Sequence, residues 1–292
     1  MRTAKLNLSL QKGIALVIVM WMLVLLTVLA AGYTAMMRTE TRLTAQQLHA
    51  AQSRSLAEAG VWLAVNDLLK PIQNRTWPGD GTAENLDLFN GSVKLRIQDE
   101  SGLIDLNSAS SELLQGLFKS VELDNTDASR IVDAILDWRD RDNLTRINGA
   151  EDVDYQKAGY PYGAKDGPFN SLDELRKVMG MTETIYNKVR PALTVYSHMP
   201  GVAPEVAPRE VLMAIPGVDP DAVDQYVEQR SDPANNPIMA GVNRSFTNRN
   251  KGISFMITST GNVDNARVKL EVVISLRRTA NLPYTILSWR EH

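Results

Sequence analysis

Six carboxylates fall within 18 residues of this chain: Asp137, Asp140, Asp142, Glu151, Asp152 and Asp154. Asp137 and Asp140 are spaced i, i+3 near the end of a predicted helix, Asp142 follows, and the last three lie beyond a loop over 143–149. So many like charges repel one another unless something positive sits among them. Arg139, Arg141 and Arg146 supply part of that charge. A hard cation is the other solution, since calcium takes six to eight oxygen ligands. The spacing is not that of an EF-hand, and the plain alternative is a solvated acidic loop with surface ion pairs. Other chemistry finds no support. The chain has no cysteine, and its three histidines, His49, His198 and His292, are scattered. There is no P-loop, G-x-S-x-G or HExxH pattern, so the sequence is not read as an enzyme.

The acidic stretch belongs to a helical segment, about 103–245, that contains an internal repeat. Ala109-Ser110-Ser111-Glu112-Leu113-Leu114 matches Ala207-Pro208-Arg209-Glu210-Val211-Leu212, and the stretch over 132–139 matches that over 223–230. Each unit reads as helix, turn, helix, like a helix-hairpin-helix, and Ser171–Leu175 predicts a further capped helix before a Gly180 turn. Such hairpins invite a nucleic-acid reading, but residues 208–230 carry Arg209 and Arg230 against Glu210, Asp219, Asp221, Asp224 and Glu228, a net charge of −3. Phosphate binding depends on Lys and Arg. This surface repels DNA.

The helical segment interrupts a set of strands. Ser92–Gln98 alternates apolar and polar residues, and strand signals return at 253–260, 267–276 and 284–289, with a turn predicted at Gly261-Asn262. Residues 71–91 read as an irregular loop. At the start, Ile14–Met37 is a charge-free run of 24 residues, roughly 36 Å of helix and long enough to cross a ~30 Å hydrocarbon core. Arg2, Lys5 and Lys12 precede it, and the first acid is Glu40. By the positive-inside rule the N-terminus stays cytoplasmic and the remainder is exported. A helical pattern continues to Pro71, with Leu48, Leu56, Ala59, Leu63 and Asn66, widened by Val61, Val65, Leu68 and Leu69, as its expected buried stripe. The expected fold class is α+β: a long N-terminal helix packed on a small antiparallel sheet, with a large all-α insert. Its parts are 1–13 leader, 14–37 membrane half of the helix, 38–102 helix, loop and first strand, 103–245 insert, and 246–292 remaining strands.

Lys12-Gly13-Ile14 followed by the apolar run resembles the leader of prepilin-like proteins. In that family prepilin peptidase cuts after Gly13, and Ile14 becomes the methylated N-terminus. Most pilins carry Glu at the fifth mature position, whereas this chain has Ile18. The leader, the interrupted sheet and the segments DESGLIDLNSASSELL, ILDWRDRDNLTRINGAEDVDY and GPFNSLDELRKVMGM together resemble type II secretion system protein K, a minor pseudopilin family. Pro204-Glu205-Val206-Ala207-Pro208 departs from the Asn-rich start of that family's second motif. The resemblance implies a pilin-like fold in the inner membrane with a periplasmic C-terminal ectodomain. It also implies a position at the pseudopilus tip, and as partners the other minor pseudopilins, proteins I and J, with the major pseudopilin and prepilin peptidase. No nucleic acid is expected. It further implies calcium bound in the insert, which here falls on Asp137, Asp140, Asp142, Glu151, Asp152 and Asp154. The rival readings are a minor pilin of a type IV pilus and a membrane-anchored DNA receptor.

Overall fold

The computed structural model describes residues 14–232, 235, 237–239, 241–277 and 282–292. The basic leader and Gly13 lie outside them. Helix α1 (Ile14–Leu68) runs unbroken for 55 residues, about 80 Å at the usual rise. Among the described residues, none before Ser53 is buried. The apolar first half is therefore bare, and by length and composition it is able to cross a membrane. The second half packs on a sheet. Its buried face is Leu56, Ala57, Gly60, Val61, Ala64, Val65 and Leu68, whereas Leu48, Leu63, Asn66 and Leu69 of the expected stripe are exposed and Ala59 is half-buried. Small residues occupy the centre of the contact because the helix backbone lies close to the strands. An added Cβ at Gly261 would overlap the Ser53 carbonyl of α1. Buried Asp67 ends the helix: its carboxylate accepts from the amides of Thr76 and Trp77 and from Lys70 Nζ at 2.7 Å.

Strands β1 (Asp80–Leu88), β2 (Gly91–Asp99), β5 (Ser254–Val263), β6 (Ala266–Ser275) and β7 (Thr285–Glu291) form one antiparallel sheet in the order β1-β2-β5-β6-β7. Val93, Leu95, Ile97, Phe255, Ile257, Leu270, Val272 and Ile274 face α1 and close the first core. Two expectations are corrected. Residues 80–88 are an edge strand, not part of a loop; their polar run lacks alternation because only β2 covers them. The β5–β6 turn is at Asp264-Asn265, with Asp264 at φ 48°, and Gly261 lies inside the strand.

The insert between β2 and β5 has its own core. Helices α2 (Ser111–Ser120) and α3 (Asn125–Arg139) form one hairpin, and α6 (Arg209–Met213) and α7 (Pro220–Arg230) the other. Asp124 and Asp219 cap the second helix of each. In the turn before them, Glu122 (φ 68°) takes the left-handed conformation that Gly217 (φ 81°) takes in the second hairpin. Between the hairpins lie α4 (Asp152–Lys157) and α5 (Glu183–Val189). The capped helix expected from Ser171 is a 3₁₀ helix over Leu172–Lys177, and the Ser171 side chain makes no capping hydrogen bond.

The chain enters the insert through a buried polar junction. Short strands β3 (Ile104–Asp105) and β4 (Leu193–Thr194) pair in parallel there. Asp99 accepts from Ser101 and from the Gly252 amide at 2.6 Å, Gln98 Nε2 donates to Val206, and the Thr194 hydroxyl donates to fully buried Glu100. Ion pairs Arg190–Glu271 (3.0 Å) and Arg290–Asp173 (2.9 Å) tie insert to sheet. Burial, reinforced by the nearby charges of Asp99 and Asp105, pushes the Glu100 carboxyl up from 4.5 to about 8, despite the Thr194 hydrogen bond. The folded protein thus keeps a proton that the unfolded chain releases, and stability falls as pH rises from about 4.5 to about 8. Glu100→Gln is expected to flatten that slope and raise Tm at pH 8.5, read by thermal melts across the range.

Candidate metal centre

Helix α3 buries Ala128, Ile131, Val132, Ile135 and Trp138, and that register carries Asp137 inward at its last turn. Trp138 is 4% exposed and packs on Phe169, Tyr155 and Tyr162, with ring centroids 5.8–6.3 Å apart. Tyr155 is itself anchored, its hydroxyl accepting the Met179 amide at 2.9 Å. This aromatic wall backs a group of carboxylates drawn from three segments: Asp137 and Asp140 from the end of α3, Glu151 and Asp152 from the start of α4, and Asp166 from the loop after it.

Asp137 is fully buried. It accepts the Arg146 amide at 3.2 Å and Arg146 Nη1 at 2.5 Å, and the same Nη1 lies 2.5 Å from Asp140 Oδ2. Gly149 is required beside it, because a Cβ there would overlap Asp137 Oδ2. Gly163 likewise leaves room for Asp152 Oδ1. Burial raises the Asp137 carboxyl against the pull of Arg146. Glu151, 4% exposed, is pushed up to about 7, first by burial and then by Asp137, Asp166, Asp140 and Asp152. Asp166 is raised by burial and by Asp152 and Asp140.

Four buried oxygens here have no hydrogen-bond partner: Asp140 Oδ1, both carboxylate oxygens of Glu151, and Asp166 Oδ1. An ionised carboxylate in such a place costs free energy unless it is protonated or meets a cation. One arginine serves the whole group. Arg139 turns away, donating to the carbonyls of Leu106 and Ala109, and Arg141 is exposed. Among the described residues no three carboxylates converge tightly enough to hold an ion as they stand, because Arg146 occupies the space between two of them. The donor set is nevertheless all hard oxygen, with unpartnered atoms, and it fits a hard divalent cation.

The six residues singled out from the sequence therefore divide. Asp137, Asp140, Glu151 and Asp152 come together. Asp142 is exposed and accepts the Leu144 amide at 3.0 Å, and Asp154 accepts the Glu151 amide at 3.3 Å and pairs with Lys157 at 3.6 Å. Asp166, missed in the sequence, joins the group. It sits at φ 53° in Lys165-Asp166-Gly167, and an Asp-Gly turn shortly after an acidic run was the available signal.

Residues 86–198, which include the whole carboxylate group, match the profile of type II secretion system protein K. A Pseudomonas aeruginosa protein of that name is 27% identical over 245 residues, covering 75% of this chain and 72% of the relative. An Aeromonas hydrophila protein of that name is 28% identical over 62% of this chain. The chain spans only 62% of the length of the relatives from Escherichia coli K12, Pectobacterium carotovorum and Aeromonas hydrophila. Among solved structures, a chain of the GspK-GspI-GspJ complex from the enterotoxigenic Escherichia coli type 2 secretion system superposes with a TM-score of 0.62 at 17% identity, over 87% of this chain and 99% of that one. That likeness shows a shared fold. Over residues 86–198, and along the stretches shared with these relatives, the chain is similar to type II secretion system protein K.

Proposed function

We propose that this chain is a minor pseudopilin of a type II secretion system. It would sit at the tip of the periplasmic pseudopilus, as a structural subunit and not an enzyme, and help initiate and cap the fibre for export of folded proteins. The observation that carries the reading is helix α1, bare and apolar in its first half and built into a sheet in its second. A subunit of this shape is held by the inner membrane before assembly and presents its head to the periplasm. The insert adds bulk to the head, which suits an end of the fibre better than its body. Ile18, in place of the usual fifth-position Glu, agrees with a terminal place, because there is no carboxylate to meet a neighbour's N-terminal amine. The type IV pilus and DNA-receptor readings have no comparable support.

The proposed partners are proteins I and J, which match what the structural relative assembles with, together with the major pseudopilin and prepilin peptidase. A surface suited to the minor pseudopilins lies where α1 meets edge strand β7. Trp62 (45% exposed) and Trp289 (39% exposed) meet there with ring centroids 6.1 Å apart. An apolar aromatic patch on a sheet edge is a typical association surface. Calcium is proposed for the carboxylate group, held by Asp137, Asp140, Glu151, Asp152 and Asp166, where it would supply the positive charge that Arg146 alone supplies in part. Processing is proposed between Gly13 and Ile14. Mass spectrometry of the N-terminal peptide from membrane-purified protein is expected to find methylated Ile14. A chain beginning at Met1, or cut near Tyr33, would overturn the pseudopilin reading.

A further inference from the structure

The face of the sheet opposite α1 forms one side of a cleft of about 750 Å³ against the insert. Six cationic residues line it, Lys94, Arg96, Lys188, Arg190, Arg267 and Lys269, against the acids Asp80, Glu210 and Glu271. The whole chain has a net charge of −3, so this excess of positive charge is local. Glu271 is shared by Arg190 at 3.0 Å and Lys269 at 2.5 Å. Lys94 and Arg96 are exposed, and no hydrogen bond or ion pair engages either among the described residues.

The register gives the cations a shape. Lys94 lies opposite Thr260, which lies opposite Lys269; Arg96 lies opposite Thr258, which lies opposite Glu271. Long cationic side chains on β2 and β6 thus flank a floor of shorter side chains on β5, Met256, Thr258 and Thr260. Adjacent strands are ~4.8 Å apart, so the trough is roughly 10 Å across, and cations two residues apart on one strand repeat at about 6.7 Å. An extended peptide places alternate side chains at that same repeat.

We propose that this cleft binds an extended acidic segment of a partner protein, with Lys94 and Arg96 taking carboxylates on one side and Arg267 and Lys269 on the other. The proposal does not depend on which machine the chain serves. A lipid headgroup is a poor occupant: from Met37 to Ser53, where the sheet first meets α1, the helix rises about 24 Å. Single-stranded nucleic acid is also disfavoured, because among the described residues no aromatic side chain lines the cleft to stack a base.

The test uses the full chain in detergent and fluorescence anisotropy with three probes: a fluorescein-labelled (Ser-Glu)₄ peptide, its (Ser-Gln)₄ counterpart and a labelled dT₈ oligonucleotide. The acidic peptide alone is expected to bind, more weakly as salt is raised, and the double variant Lys94→Glu/Arg96→Glu is expected to weaken it at least about tenfold. Both positions are exposed, so the melting profile of the variant should match the parent. Failure of (Ser-Glu)₄ to bind, equal binding to the double variant, or dT₈ binding as tightly as the peptide would each overturn the proposal.

Discussion

Calcium added to chelator-treated protein is expected to raise the melting temperature at pH 7 by roughly 5–10 °C. A ligand at a hundred times its Kd adds about 2.7 kcal/mol to the folded state, and each kcal/mol moves Tm by about 2–4 °C in a domain of this size. The source of the gain is the set of unpartnered oxygens on Asp140, Glu151 and Asp166. Glu151→Gln separates this account from a merely structural role by moving two quantities in opposite directions. Without calcium the variant should melt higher than the parent at pH 7, because a buried carboxyl pushed up to about 7 destabilises the fold as pH climbs from 4.5 through that value. With calcium the variant should gain less than the parent, having lost a ligand. Identical melting in calcium and EDTA would remove the ion from the account.

Trp138→Ala is expected to have the largest effect of any single substitution in the insert. Truncating a buried tryptophan costs about 3–5 kcal/mol, and Trp138 packs on three rings that together back the carboxylate group. Its neighbour Asp137 and, through Tyr155, helix α4 with Glu151 and Asp152 would lose their fixed placement. Denaturant melts of the full chain should therefore show loss of the insert with the sheet retained, since the two cores are separate. Calcium is expected to bind the variant at least about tenfold more weakly than the parent, as when outer-shell support of a metal ligand is removed. Trp138→Phe keeps a ring against Phe169 and should retain most of both properties. Loss of the whole fold in one transition would contradict the separation of the cores.

Much of the architecture is legible in the sequence because it rests on strong local signals. The charge-free run from Ile14 and the period-2 alternation of Ser92–Gln98 each leave few alternatives, and the repeat over 109–139 and 207–230 exposes the two hairpins. The missed features rest on contacts between distant segments. Strand β1 is acidic and half-exposed, so only its pairing with β2 makes it a strand. The buried face of α1 is drawn to Ala57, Gly60 and Ala64 by how closely the sheet approaches, which hydrophobicity does not encode. In the acidic region, composition announced a concentration of charge but not its partition. Arg139, adjacent in sequence, is committed to the carbonyls of Leu106 and Ala109, while Arg146 reaches back to Asp137 and Asp140. Asp166 enters only because the loop after α4 folds back onto α3, where the Gly167 amide donates to the Trp138 carbonyl at 3.4 Å.

The most direct test of the proposed place in the secretion machine is co-assembly. The full chain, solubilised in detergent and mixed with proteins I and J of the same system, would be followed by size-exclusion chromatography with light scattering. A single species containing all three chains is predicted, together with its loss, at unchanged melting of the isolated chain, in the double variant Trp62→Ala/Trp289→Ala. Proteins I and J eluting together while this chain elutes alone would contradict the account.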